Sequence, residues 1–125
     1  MGVTDMKNDK YQTIAQIFKG EYVRGLFGGT VKFRKRFRWD SCSCTKNVLL
    51  DFDIENEKLR CIFVGHYKVT KLDPRILMDY GFNSPKCMEC LKFHLSDIVK
   101  TVYNQSIKID ENIINMLGLR DIIKY

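Results

Sequence analysis

The segment VKFRKRFRW, residues 31–39, alternates apolar and basic side chains with a period of two. Val31, Phe33, Phe37 and Trp39 fall on one side, and Lys32, Arg34, Arg36 and Arg38 on the other. Only extended backbone sends successive side chains to opposite faces, so the pattern predicts a half-buried strand with a cationic face rather than a solvated basic tail. Lys35 interrupts the apolar side, which predicts either a bulge or a lysine stem that snorkels to the edge. VLLDFDIE alternates in the same way, with Val48, Leu50, Phe52 and Ile54 opposed to Asp51, Asp53 and Glu55. A turn at Asn56 and Glu57 leads into KLRCIFVGHYKV, where parity places Leu59, Cys61, Phe63, Tyr67 and Val69 toward the core. Lys58, Arg60, His66 and Lys68 then lie mostly on the other side. Three such segments predict a small antiparallel β-meander over about residues 31–69.

Helical spacing flanks the meander. Asn8 or Asp9 is placed to cap a helix over 9–19 whose apolar positions are Tyr11, Ile14, Ile17 and Phe18, with Gly20 as its stop. Residues 20–29 contain four glycines and read as a flexible connection. Asp73-Pro74 supplies a cap and a first-turn proline for a short helix ending at Gly81. Leu91, Leu95, Ile98, Val99, Val102 and Tyr103 predict a longer amphipathic helix leaving directly from the second cysteine pair, Cys87 and Cys90, and Asp110 caps a further segment that ends at Gly118. The expectation is one α+β domain over 1–125: a helix at 9–19, a sheet at 31–69 and a helical part at 73–125. Its 125 residues, 45% of them hydrophobic, suffice for one core. With no apolar run of membrane-spanning length and no apolar signal core near the N-terminus, the chain is expected in a soluble intracellular compartment, away from membranes.

The formal charge of +6 is concentrated. Residues 1–39 carry nine Lys and Arg against three Asp and Glu, whereas 40–57 carry one against five. A basic surplus of this kind favours a polyanionic partner such as RNA. Pairing across the hairpin with Asp51, Asp53 and Glu55 is the structural alternative, at roughly 0.2–1 kcal/mol per pair. Five basic residues, Lys32, Arg34, Lys35, Arg36 and Arg38, face those three acids, so a surplus survives. Arginines two apart on a strand are roughly 6.5–7 Å from one another, a spacing suited to backbone phosphates. The same KFRKRFR run also reads as a nuclear or nucleolar import signal.

Cys42, Cys44, Cys61, Cys87 and Cys90 are an odd set in a chain without a secretory signal, which favours reduced thiols and metal binding over disulfides. Cys42-x-Cys44 and Cys87-x-x-Cys90 supply four thiolates for a tetrahedral Zn2+, each short spacing allowing a local turn to aim two sulfurs at one ion. His94, Cys61 and His66 are the alternative ligands, and Cys61 by itself reads as a small buried hydrophobe. No catalytic residues emerge. The Cys87-x-x-Cys90 pair lacks the strand-loop-helix setting of a redox motif, and neither histidine has a nucleophile and orienting group around it.

With its basic segment followed by Cys42-x-Cys44 and Cys87-x-x-Cys90, the chain resembles the small cysteine-rich zinc-finger proteins of benyviruses, the genus of beet necrotic yellow vein virus. The resemblance covers size and order of features along the whole chain. It implies a plant-virus suppressor of host RNA silencing that supports systemic spread, with a zinc finger and a basic nucleolar-localisation element both required. Carried onto this chain, the finger is Cys42, Cys44, Cys87 and Cys90, and the basic element Lys32, Arg34, Lys35, Arg36 and Arg38. The expected function is therefore a non-enzymatic, zinc-containing RNA-binding protein, acting on RNA that is double-stranded, in the host cytoplasm and nucleus or nucleolus. The competing expectation is a protein-interaction module that captures a host silencing protein, with the basic segment serving import alone. An apolar helical surface near 95–103 or 113–123 would serve that capture or a homodimer.

Overall fold

The computed structural model describes residues 2–25, 29–38, 47–72 and 85–124. Side chains at 2–9, 37–38, 47–48 and 85 fall outside that description, as do Trp39, Cys42, Cys44 and the expected helix after Asp73. In chain order the elements are α1 (Gly2–Ile17), β1 (Glu21–Arg24), β2 (Thr30–Arg38), β3 (Asn47–Glu55), β4 (Lys58–Val64), β5 (Tyr67–Lys68), α2 (Pro85–Asn104), β6 (Lys108–Ile109) and α3 (Glu111–Leu117).

The sheet runs β1-β2-β3-β4-β5, each neighbour antiparallel, and β6 pairs parallel with β4. It is wider than a three-stranded meander. The Gly-bearing connection expected before residue 30 contains β1, whose Glu21–Arg24 backbone pairs with Val31–Arg34. β5 and β6 lie along the same edge of β4 at its opposite ends, β5 against Phe63 and Val64 and β6 against Lys58 and Leu59. The β2–β3 pairing is unbroken from Thr30↔Glu55 to Arg38↔Asn47, so no bulge accommodates Lys35.

Side-chain alternation along β2 and β3 sorts the sheet into two faces. Val31, Phe33, Leu50, Phe52 and Ile54 are buried on one of them. Tyr11, Ile14, Ala15 and Phe18 of the α1 segment pack onto this face, with Phe33 at the centre of an aromatic group. Its ring centroid lies 6.1 Å from Tyr11, 5.6 Å from Phe18 and 5.7 Å from Tyr22. Leu91, Leu95, Ile98, Val99 and Val102 of α2 join the same core, as the helical spacing predicted, together with Ile113, Ile114 and Leu117 of α3. Helices therefore cover the apolar face, and on the other face Lys32, Arg34 and Arg36 are exposed.

Three local expectations need correction. β4 does not keep a single parity: its register with β3 passes from Asp53↔Cys61 to Ile54↔Leu59, leaving Arg60 as the extra residue of a bulge. Beyond that bulge the alternation inverts, so Leu59, Ile62 and Val64 are buried while Cys61 and Phe63 share the charged face with Asp53 and Asp51. α1 already runs from Gly2, so neither Asn8 nor Asp9 caps it. And α2 begins at Pro85, which puts Cys87 and Cys90 inside its first turns rather than ahead of them. The expected cap and stop of α3 are in place: Asp110 accepts a hydrogen bond from the Asn112 N–H at 2.9 Å, and Gly118 adopts the left-handed conformation.

The end of α1 divides the work of termination between two residues. Lys19 N–H donates to the Gln16 carbonyl and Gly20 N–H to the Ala15 carbonyl, closing a Schellman turn with Lys19, at φ 56°, in its left-handed position. Gly20 is needed for a different reason, since a Cβ there would lie 2.5 Å from the Phe18 ring and 2.7 Å from the Arg34 carbonyl oxygen. Lys19→Gly is expected to raise stability by about 0.5–1 kcal/mol by relieving the left-handed penalty. Gly20→Ala is expected to lower it by about 1–3 kcal/mol through overpacking. Denaturant unfolding of the two variants checks both signs.

Candidate nucleic-acid interface

Register places Lys32, Arg34 and Arg36 on the solvent-facing side of β2, opposite Asp53, Asp51 and Leu49 of β3. Arg34 makes a two-pronged contact with Asp51, Nε donating to Oδ1 at 2.9 Å and Nη2 to Oδ2 at 3.2 Å. Asp51 is only 7% exposed although it belongs to the open face, because its cross-strand neighbours Arg34 and Phe63 flank it. That hydrogen bond, and then the Asp51 charge, hold the Arg34 guanidinium protonated even more firmly than usual.

Lys32 is tied less closely. Its Nζ sits 3.9 Å from Asp53 Oδ1, an ion pair too long to be a hydrogen bond. Among the described residues Asp53 Oδ1 is consequently buried without a hydrogen-bond donor, and burial pushes the Asp53 carboxyl above its ordinary value, with Lys32 pulling the other way. Arg36 faces Leu49 across the strands, and among the described residues it has no acidic partner. Arg38 follows the same parity opposite Asn47, its side chain lying outside the described residues.

Lys35 belongs to the other face. Its stem passes over the end of α1 and its ammonium donates to the Phe18 carbonyl, one of the oxygens that helix geometry leaves without an intrahelical donor. Burial, and secondarily the charge of Lys19, lower its pKa. The expected snorkelling thus occurs, and it serves the helix terminus. Lys19, Gly20, Glu21, Arg34, Lys35, Arg36 and Leu49 together line a cleft of about 480 Å³ beside the start of β1, with four cations and one acid around it. Nothing in the alternation pointed to Lys19, because it sits in the turn after α1, 15 residues before Arg34 in sequence but beside it in the fold.

Two of the thiols, Cys87 and Cys90, occupy the opposite layer. Cys87 is fully buried and Cys90 half-buried on α2, and three- and four-residue spacings put Cys87, Cys90 and His94 along one side of that helix. Burial lowers the His94 pKa, with Asp97 opposing and the Lys35 charge reinforcing the shift, which favours the neutral imidazole that metal binding requires. Cys61 lies on the charged face with the sheet between it and α2, and His66 lies in the turn between β4 and β5. Among the described residues no three His, Cys, Asp or Glu side chains converge where one metal ion would sit, and none of Cys61, Cys87 and Cys90 forms a disulfide. Cys42 and Cys44, the other half of the expected ligand set, lie outside the described residues. No described helix is long and apolar enough to cross a membrane.

No known protein family, curated protein or solved structure matches the chain.

Asp53 generates a pH prediction. With its folded-state pKa raised, the native protein holds this proton to higher pH than the unfolded chain does, so stability falls as pH rises from about 4 through the raised value. Asp53→Asn is expected to flatten that decline and to melt at or above the parent temperature at pH 7. Melting curves of the two proteins between pH 4 and 8 decide it; parallel curves would mean that the carboxylate is hydrated in the fold.

Proposed function

We propose that this chain is a non-enzymatic RNA-binding protein that suppresses RNA silencing in a host cell, with zinc as a structural cofactor. The observation that carries the RNA-binding part is the cleft at the start of β1, where Lys19, Arg34, Lys35 and Arg36 meet a single acid, Glu21. Lys32 and Arg34 have carboxylate partners, so among the described side chains on the open side of β2 the positive charge without one is that of Arg36. Contacts of this type are made to phosphate, are insensitive to base sequence and weaken steeply with salt. The silencing role, support of systemic spread and nucleolar address rest on the resemblance to the benyvirus proteins.

The zinc reading is supported by α2. Cys87 and Cys90 occupy one side of it with His94 one turn further on, and burial favours the neutral form of that imidazole. The thiolates of Cys42, Cys44, Cys87 and Cys90 would hold the ion, with His94 as the alternative ligand, and zinc would supply structure rather than chemistry. A second reading, capture of a host silencing protein, is favoured by Phe93 of α2, 69% exposed, and Ile122, 53% exposed.

Arg36→Gln is expected to weaken binding to duplex RNA and to lower the slope of log affinity against log salt by about one, while melting is unchanged. Binding titrations from low to physiological salt check it, and an unaltered slope would place the RNA elsewhere. For the metal, chelation or the Cys87→Ser and Cys90→Ser double substitution is expected to remove one zinc per chain and unfold the domain, since structural zinc contributes about 10–16 kcal/mol of apparent free energy. Native mass spectrometry and circular dichroism read both; a metal-free chain with unchanged melting would remove zinc from the proposal.

A further inference from the structure

The distribution of charge on β2 selects among the phosphates that an RNA offers. A protein that follows the backbone needs available cations along a line, because each internal phosphodiester carries one negative charge and the next follows at regular spacing. Among the described residues the open face of β2 does not provide that line. Reading along β2, Lys32 has Asp53 Oδ1 at 3.9 Å and Arg34 has both Asp51 oxygens at 2.9 and 3.2 Å, while Glu21 and Glu55 stand at the sheet positions beside them.

What the fold offers instead is a concave spot. Lys19 arrives from the end of α1, Arg36 from β2, and Arg34 and Lys35 flank them around about 480 Å³. Among the described residues neither Lys19 nor Arg36 has an acidic partner, and the Lys19 charge acts unfavourably on Lys35. Several cations converging on one small volume suit one multiply charged group better than a row of singly charged ones. A phosphate monoester at a chain end carries about −1.5 to −2 near neutral pH and three acceptor oxygens, and a chain end can enter a recess that a continuous backbone could only cross.

We propose that this cleft receives the 5′-terminal phosphate monoester of an RNA, with Lys19 and Arg36 as its principal ligands and Arg34 turning one edge of its guanidinium toward it while keeping Asp51. The inference rests on the RNA-binding reading and narrows it to recognition of ends.

The test uses the full zinc-loaded chain and one duplex in four forms: 5′-phosphorylated, 5′-hydroxyl, closed at both ends by hairpin loops, and 5′-phosphorylated in the presence of excess adenosine 5′-monophosphate. Titrations at one fixed salt should give about tenfold tighter binding to the phosphorylated end than to the hydroxyl or closed forms, and loss of that advantage with the competitor. Arg36→Gln should bring the first three forms to parity. Lys19→Asn should do so too, and it removes the charge while keeping a residue that tolerates the left-handed backbone. Melting curves confirm that both variants are folded. Equal affinity for all three duplexes would overturn end recognition and leave backbone binding standing. Absence of binding to every RNA by folded protein would overturn both readings. Preferential binding of a phosphoserine peptide over the phosphorylated RNA would reassign the cleft to a protein partner.

Discussion

The nine-residue pairing of β2 with β3 is the constraint on which the rest depends. Its register sets Phe33 against Phe52 on one face and Arg34 against Asp51 on the other in the same stroke. A slip of β2 by one residue would carry its arginines into the space occupied by Tyr11 and Phe18 and expose Val31 and Phe33, so hydrophobic burial and charge pairing specify one alignment together. The hairpin that follows is held by a two-residue turn with Asn56 and Glu57 both at positive φ, the geometry that matches the twist of antiparallel strands. Glu57 also pairs with Lys10, which ties that turn to α1 across the edge of the core.

The parts legible in the sequence are those written as an uninterrupted period. The faces of β2 and β3, the buried stripe of α2 and the cap and stop of α3 could all be read because each pattern repeats over enough residues to outweigh local exceptions. The parts that were not legible are set by partners distant in sequence. A single extra residue at Arg60 inverts β4 and moves Cys61 from the expected core to the charged face, and KLRCIFV contains no glycine to announce it. β1 follows a helix and lies among glycines, so its four residues become a strand only because β2 offers an edge. β6 is two residues long and parallel to β4, a pairing that no local pattern encodes.

The candidate site has the same history. Five basic residues in a run of seven suggested a continuous cationic strip, yet alternation on a strand divides them between two faces, and the facing strand neutralises two of them. Lys35 goes to the helix terminus, where an ammonium beside exposed carbonyl oxygens is favoured by the direction of the helix dipole. Lys19 comes from outside the run and restores positive charge at the same corner. Counting basic residues therefore overstates the strip and misses the cleft.

The two chemistries lie in different layers. Cys87 and Cys90 ride on α2, Lys32, Arg34 and Arg36 stand on the other side of the sheet, and Lys35 is bonded to the α1 terminus while its charge acts on His94. An ion held by Cys87 and Cys90 together with the segment after β2 would fix the far end of that strand, the stretch beyond Arg34 that β1 does not pair with. Arg36 lies on this stretch. Metal binding on α2 would thus bear on the position of Arg36 through one backbone, without any contact between the ion and a ligand of the cleft.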